Sequence, residues 1–522
     1  MASDAVGLTV FLLKVDQVGA FDERFPTNAP GAVALSGGLE GRFVPLPASP
    51  TTPRWVAAVS SLLPDKINLG LVSQSPAGLL VLVRAGRTFV VSFGYAWQKL
   101  EDEWLERDFG RRVALNVMAK NGLVEIRSEQ VFAKWHIASD RAPRASTVDE
   151  FAVEFDRDLV ATVEGVPGNK SWGKTLRGGT SLRLNLPISN LPPLLDKGEA
   201  LFLSTAYKKN WPDIDNINPV KDPTLIVELD AQLDSQFAAG KAHKTIAMFT
   251  PVYRRDEPIV VDSYVFGRLT KSPATTPYLT VQEWLNYLDR KELAPSVAEA
   301  KRTAIHLLNE VGDDPKSCTV FDCFGYELAL GGQQFVLSSG IWYEVVPEFL
   351  ERVNRTVAEM DQPKIALPTW NQVESEGEYN TRCCQTSGFL HFDANKIWFG
   401  GGHSQFEFCD IMHPKTRTLF FAKIPSKSSG MSHLVEQVRR TAELFFSPDS
   451  GYRKRLKKGV KKAHPGLRTA WLDERPRAGD WDLCLVSLGR PATKLPFFAK
   501  CSLMKLKKDL RARGHIMSFL SV

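Results

Sequence analysis

The stretch TLFFAKIPSKSSGMSHLVEQVRRTAELFF, Thr418 to Phe446, decides how the chain is read. Its start, Thr418 to Ile424, is a compact apolar run that carries Lys423 and stops at Pro425, which reads as a buried strand. A Ser/Gly loop follows. From Met431 to Phe446 the residues Leu434, Val438, Ala442 and Leu444 to Phe446 fall on or near one face at helical spacing, so this segment reads as an amphipathic helix. Working upstream, Gln405 to Met412 and Gly388 to Asp393 are two more strand-like runs. The turns between the three runs carry Gly400 to Gly402 and His413-Pro414. A helix is expected over Glu348 to Met360, where Phe349, Leu350, Val353, Val357 and Met360 form a stripe. Downstream come a strand at Trp481 to Leu488, a basic helix at Phe498 to Gly514 and a last strand at His515 to Val522.

Helix, three strands, helix, strand is an order that resembles the core of the restriction-endonuclease-like PD-(D/E)xK nucleases. The resemblance implies Mg²⁺ or Mn²⁺ held by an acid on the second strand and an acid on the third, with a lysine beside them. Asp410 lies near the end of the second run and Lys423 on the third. The acid expected two residues before the lysine is Phe421, which departs from the pattern. Glu407 offers a second carboxylate, although three residues from Asp410 on a strand it would point to the opposite face unless a bulge intervenes. Asp393 and Gln437 stand where some nucleases of this class carry ligands or lysine-orienting groups, and Glu351 and Glu359 lie on the leading helix. The expected metal ligands are therefore Asp393, Glu407 and Asp410, with Asp410, Lys423, Glu407 and Gln437 in the chemistry. Plainer readings stand beside each: a hairpin turn for Asp393-Ala394-Asn395-Lys396, an exposed helical position for Gln437, and a cross-strand pair for Asp410 and Lys423. His391, His403, His413 and His433 show no metal-type i, i+4 spacing, and no G-x-S-x-G elbow occurs, which argues against α/β-hydrolase chemistry.

Charge points the same way. The net charge is only +6, yet Arg453 to Arg468 (RKRLKKGVKKAHPGLR) holds eight cations, Arg453, Lys454, Arg455, Lys457, Lys458, Lys461, Lys462 and Arg468, and no acid. Lys500, Lys505, Lys507, Lys508, Arg511 and Arg513 form a second group. Such clusters suit a polyanion, because each neutralised phosphate releases counterions. The alternative is a solvated loop and a solvated helix face.

At 522 residues the chain exceeds the size of one growing core, and its 43% hydrophobic and 24% charged residues are ordinary globular values. The fold class expected is mixed α/β (α+β), multidomain: an N-terminal α/β domain over 1–148, a strand-rich region over 149–275, helices and a hairpin over 276–372, and the nuclease-like domain over 373–522. Leu8 to Leu13, Gly78 to Arg84 and Thr88 to Phe93 read as strands, with a short helix around Gln98 to Leu105. Helices are expected at Thr280 to Leu293 and at Ser296 to Val311, the second capped by Ser296 with Glu299, and the Gly331-Gly332 pair marks a hairpin. The apolar run Val6 to Leu13 is too short to span a bilayer and lacks the basic start of a signal peptide. Seven cysteines without a CxxC pair fit the reduced thiols of a cytoplasm.

Gly168 to Thr175 (GNKSWGKT) matches the phosphate-loop expression letter for letter. A working loop needs a following helix, whereas LRGGTSLRLNLP comes next, so the match reads as chance.

The phrases VSFGYAWQKL, ERDFGRRVALNVM, NWPDIDNINPVKDP, SSGIWYEV, EGEYN, FEFCDIM and FFAKIPSKSSGMSHLVEQ resemble a bacterial family of sporadically distributed proteins, a domain of unknown function of about this length. Patchy distribution of that kind is similar to that of genes on mobile elements and in antiphage islands. The resemblance implies a defence-associated context; together with the cation clusters, the nuclease-like order of elements and the short N-terminal apolar run, the expected partner is nucleic acid, DNA ahead of RNA, with a second copy of the chain or another defence protein as a further partner and no membrane. In that family the residues before the lysine also lack the acid, which keeps a non-cleaving, nucleic-acid-binding or sensing protein as the alternative.

Overall fold

Alternation along the first strand sets the first core. In Ala5–Leu12 the side chains of Leu8, Val10 and Leu12 enter one hydrophobic cluster while Phe11 and the next residue, Leu13, enter another, so both faces of the strand are covered. The computed structural model describes residues 5–47, 50, 52, 56, 59, 70–130, 137–147, 151, 158–250, 261–270, 273–308, 316–392, 396–398, 405–425 and 428–522. The protein is a mixed α+β chain that divides into two compact units, the boundary falling at Ile214/Asp215.

The first unit is built on one ten-stranded sheet, with Ala5–Leu12 between Arg87–Phe93 and Leu182–Pro187, antiparallel to both. Helix Phe109–Val117 covers one face through Phe109, Val113, Ala114 and Leu115. The segment expected to be a short helix near Gln98 is two 3₁₀ turns, Ala96–Lys99 and Asp102–Trp104. Its polar residues leave only Leu100, Trp104 and Leu105 to bury, too few for a continuous helical stripe. The GNKSWGKT sequence connects two antiparallel strands, Asp158–Pro167 and Leu176–Gly178, through a 3₁₀ turn at Lys170–Trp172, and no helix follows it.

In the second unit Ser296 accepts from Glu299 N–H at 3.1 Å and caps the helix Val297–Arg302. That helix is shorter than the sequence suggests. Ala304–Leu308 is a strand between Ser263–Phe266 and Lys316–Thr319, and its alternating burial shows a period of two overriding the helical reading. Gly331 and Gly332, at φ 60° and 82°, make the two-residue turn between Phe324–Leu330 and Gln333–Ser338.

The C-terminal module positions the site. Its elements are α1 (Pro347–Ala358), α2 (Glu376–Cys383), β1 (Leu390–His391), β2 (Ile411–His413), β3 (Thr418–Lys423), α3 (Ser428–Phe445), α4 (Gly451–Ala463), β4 (Asp482–Ser487), α5 (Phe497–Ala512) and β5 (Ile516–Ser521). The sheet runs β1-β2-β3-β4-β5: β1, β2 and β3 form an antiparallel meander, and β4 and β5 lie parallel to β3. Leu419 and Phe421 enter a core with residues of α3, α4 and α5, while Phe420 and Ala422 enter a second core with Tyr379 and Cys383 of α2. A strand buried on both faces reads as a continuous apolar run, which is why LFFA and LCLV are legible as strands. The second run expected from sequence is divided. Gln405–Glu407 forms a separate two-stranded ribbon with Lys396–Trp398, and only Ile411–His413 joins the main sheet. Among the described residues no helix is long and apolar enough to cross a membrane.

Candidate active site and cationic helix

Strand β3 outruns its neighbour. β2 pairs with it as far as Ile411 and Phe420, and Asp410 N–H donates to Phe420 O at 3.0 Å. Beyond that point the N–H groups of Ala422 and Ile424 need other acceptors, since buried backbone donors are seldom left unmet. Asp410 Oδ2 accepts from Ala422 N–H at 2.6 Å, and Glu376 Oε1 accepts from Ile424 N–H at 2.9 Å. Two residues of strand separate these donors, about 6–7 Å. Glu376 Oε2 also accepts from Lys423 Nζ at 2.7 Å. Two carboxylates and an ammonium thus gather at the C-terminal end of β3. Asp410 is buried, whereas the side chains of Lys423 and Glu376 are 34% and 31% exposed.

Two helices hold the acids in place. On α3, Gln437 Nε2 lies 3.4 Å from Asp410 Oδ1, and one turn later the buried Thr441 hydroxyl donates to Phe408 O at 2.7 Å. That i, i+4 pair fixes the bend Phe408–Asp410 from one helix face. Helix α2 begins with a capping box in which Ser375 N–H donates to Glu378 Oε2 at 2.7 Å and Glu378 N–H donates back to Ser375 Oγ. Glu376 is therefore the first helical residue, where the helix dipole favours an acid, and the fully buried Tyr379 and Cys383 seat the helix against the sheet.

Sequence reasoning missed α2 and with it Glu376. The helix has only two strongly buried apolar side chains and so shows no stripe. The Ser-x-x-Glu signal at Ser375 to Glu378 was available, starting one residue before the EGEYN phrase. Of the expected residues, Asp410, Lys423 and Gln437 come together here, with Lys423 paired to Glu376 and not to Asp410. Glu407 stands opposite Lys396 in the separate ribbon. Asp393 and His403 lie outside the described residues. Glu351 lies within α1 and Glu359 just past its end. Phe421, where the nuclease pattern has an acid, is fully buried.

Among the described residues no group of three or more His, Cys, Asp or Glu side chains is placed to hold a metal ion. What the centre offers a cation is oxygen from two carboxylates, Asp410 and Glu376. Each carboxylate has about four lone-pair sites, so accepting an N–H does not exhaust it. A donor set of one or two carboxylates completed by water suits Mg²⁺ or Mn²⁺ and no softer metal.

Helix α4 carries the basic cluster. Tyr452, Leu456 and Val460 are buried on one face, while Lys454, Arg455, Lys458, Lys461 and Lys462 are exposed on the opposite arc, and Arg468 is exposed just beyond. The other two cations serve the fold: Arg453 is buried and donates to Ser447 O and Asp449 O, and Lys457 pairs with Asp473. At the end of α4, His464 Nε2 lies 2.8 Å from His391 O, and the next residue, Phe392, donates its N–H to Asp410 O at 2.9 Å. The cationic helix therefore ends beside the strand that borders Asp410.

No curated protein and no solved structure matches the chain. A family description does: residues 8–521 match the family of unknown function DUF6119, and the chain belongs to that family.

Proposed function

We propose that the C-terminal module acts on nucleic acid, with α4 holding the phosphate backbone and the Asp410–Glu376–Lys423 centre cleaving phosphodiester bonds with Mg²⁺ or Mn²⁺. The observation that carries the reading is the capping of consecutive edge donors of β3 by two carboxylates, with Lys423 bonded to one of them. It supplies from α2 the second acid that β3 lacks at Phe421. The meander followed by a helical crossover to a parallel strand supports a restriction-endonuclease-like core. When bound, the metal supplies a Lewis acid and an activated water. The protein's own groups then have separate tasks. Asp410 and Glu376 offer oxygen ligands, Lys423 steadies charge that develops on the phosphoryl oxygens, and the α4 cations align the strand. The setting that the resemblance to sporadically distributed proteins implies, mobile elements and antiphage islands, would make foreign DNA the substrate.

Incubation of the purified protein with single- and double-stranded DNA and RNA, in Mg²⁺, Mn²⁺ or chelator, tests this. Cleavage that requires the metal and disappears in Glu376→Gln and Lys423→Met is the expected result. Cleavage equal to wild type in both variants would sink the assigned centre.

A second reading, binding without cleavage, is favoured by the ion pair itself, since an ammonium clamped by Glu376 needs no metal for a structural role. It is the reading that stands if binding survives chelation and no divalent metal yields product.

A further inference from the structure

A cleft of about 600 Å³ opens in the C-terminal module, and Glu443, Phe446, Arg475, Arg477, Arg513 and His515 are among its walls. Arg475 and Arg477 precede β4, and Arg513 and His515 precede β5. Lys423 lies at the opposite ends of these strands, because it is in parallel register with Ser487 at the end of β4. Six residues of strand separate the two places, roughly 20 Å. The cleft is therefore a different site from the carboxylate–lysine centre.

Its chemistry is that of an anion receptor. The three arginines face one carboxylate, Glu443, which leaves the lining at +2 with His515 neutral (3 − 1). Arg475 Nε donates to Phe446 O at 2.8 Å, which fixes its guanidinium while leaving the terminal N–H groups. Arg513 meets Glu443 only at 3.3 Å, in an exposed pair. Arg477 makes no ion pair among the described residues. The His515 ring stands edge-on to Phe446, centroids 4.7 Å apart, and its Nδ1 is buried with no hydrogen-bond partner among the described residues. Burial, and then the neighbouring Arg513, hold the imidazole below its usual pKa, so it is a neutral hydrogen-bonding group at pH 7.

Guanidinium forks recognise carboxylate and phosphate alike. What favours phosphate is the helix that starts here. Ser447, at the rim, accepts from Arg453 of α4, and the far end of α4 reaches His391 beside Asp410. The exposed cations of α4 thus run from the cleft toward the carboxylate–lysine centre, a path of 13 residues or about 20 Å.

We infer that this cleft binds a phosphate monoester, either the phosphorylated end of a nucleic-acid strand whose backbone lies along α4 or a free nucleotide. The inference concerns binding and stands whether or not the distant centre cleaves.

The test is equilibrium binding of the full chain, in chelator, to one oligonucleotide sequence bearing a 5′-phosphate, a 3′-phosphate or hydroxyls at both ends, and to AMP, ATP and inorganic phosphate. One phosphorylated end is expected to bind about tenfold more tightly than the hydroxyl form, and Arg477→Gln with Arg513→Gln to abolish that difference. Both are exposed side chains, so the fold should survive; circular dichroism and an unchanged melting temperature verify it. Replacing Lys454 and Lys458 by Gln should weaken all oligonucleotides alike, which separates the cleft from the helix. Preferential binding of AMP or ATP that the double variant loses would support the same site with a nucleotide as its ligand. Equal binding of all end groups together with no nucleotide or phosphate binding would overturn the inference, and so would a preference that survives in the double variant.

Discussion

The ammonium of Lys423 sits 2.7 Å from Glu376 Oε2, so the lysine of β3 is held by an acid from the helix that precedes the sheet and not by one from its own strand. Since Glu376 also takes Ile424 N–H, it ties α2 to the end of β3 at two points. The pair is about one third exposed, and pairs of that kind contribute about 1 kcal/mol or less to stability. Glu376→Gln and Lys423→Met should therefore melt within a few degrees of wild type while losing about a hundredfold or more in metal-dependent cleavage. The charge-swapped double variant, Glu376→Lys with Lys423→Glu, should regain the pair but not the activity, and it should melt below wild type because a lysine cannot accept Ile424 N–H and opposes the helix dipole.

Asp410 should behave differently because it is buried. Its removal leaves Ala422 N–H without its acceptor, and an orphaned buried donor costs about 1–3 kcal/mol. Asp410→Ala is expected to lower the melting temperature clearly, whereas Asp410→Asn retains an acceptor oxygen and should lower it less. Both should abolish metal-dependent cleavage. Comparing the two by thermal melting and nuclease assay separates the structural part of this residue from the chemical one.

Much of this architecture is legible in the sequence because of how β3, β4 and β5 are covered. Strands buried on both faces become unbroken apolar runs, and α3 shows a clear stripe because one face packs on Leu419 and Phe421. The less legible parts follow from competing local rules. The Gln405 to Met412 run has the composition of one strand, yet the chain bends at Phe408–Asp410 to meet Thr441 and Gln437 of α3, contacts more than twenty residues away in sequence. Helix α4 is so dominated by cations that its apolar positions Tyr452, Leu456 and Val460 are easily overlooked, although their i, i+4 spacing is regular. Glu376 was hidden because α2 is polar and short.

Phe421 shows why an acid two residues before Lys423 cannot simply be restored. Its side chain is fully buried in the core shared with α3 and α5. Phe421→Glu would bring a carboxylate into that core without a partner and should abolish cooperative folding. Phe421→Leu should fold with a loss of about 1–2 kcal/mol. Denaturant melts of the two variants check this, and a stable, active Phe421→Glu protein would contradict the assignment of Glu376 as the second acid.

On α4, each exposed cation that touches a phosphate adds about 0.9 to the slope of log affinity against log salt. Replacing Lys454, Lys458 and Lys461 by Gln should reduce that slope by about two to three, with little change in stability. Lys457, which pairs with Asp473, should contribute less. Arg453→Ala should act on the fold: its guanidinium is buried and holds Ser447 O and Asp449 O, so the melting temperature falls before any binding is measured. Titrations at several salt concentrations give the slopes directly.

Stability should fall on acidification from neutral pH, and His413 supplies part of the reason. Burial, and then Lys415, hold its pKa below the usual histidine value, while Nδ1 lies 2.8 Å from Thr416 Oγ1 and the ring packs on Phe389. A base with a lower pKa in the folded state than in the unfolded one binds more protons when unfolded. Stability is then fully present above the unfolded pKa of about 6.5 and is lost as pH falls through the lower folded value. His515 has the same sign through its own burial. Melting temperatures measured from neutral pH down to about pH 5 should therefore decline. In His413→Asn the decline should be shallower, so the gap between variant and wild type narrows as pH falls. A gap that stays constant across the range would show that the His413 imidazole titrates alike in both states.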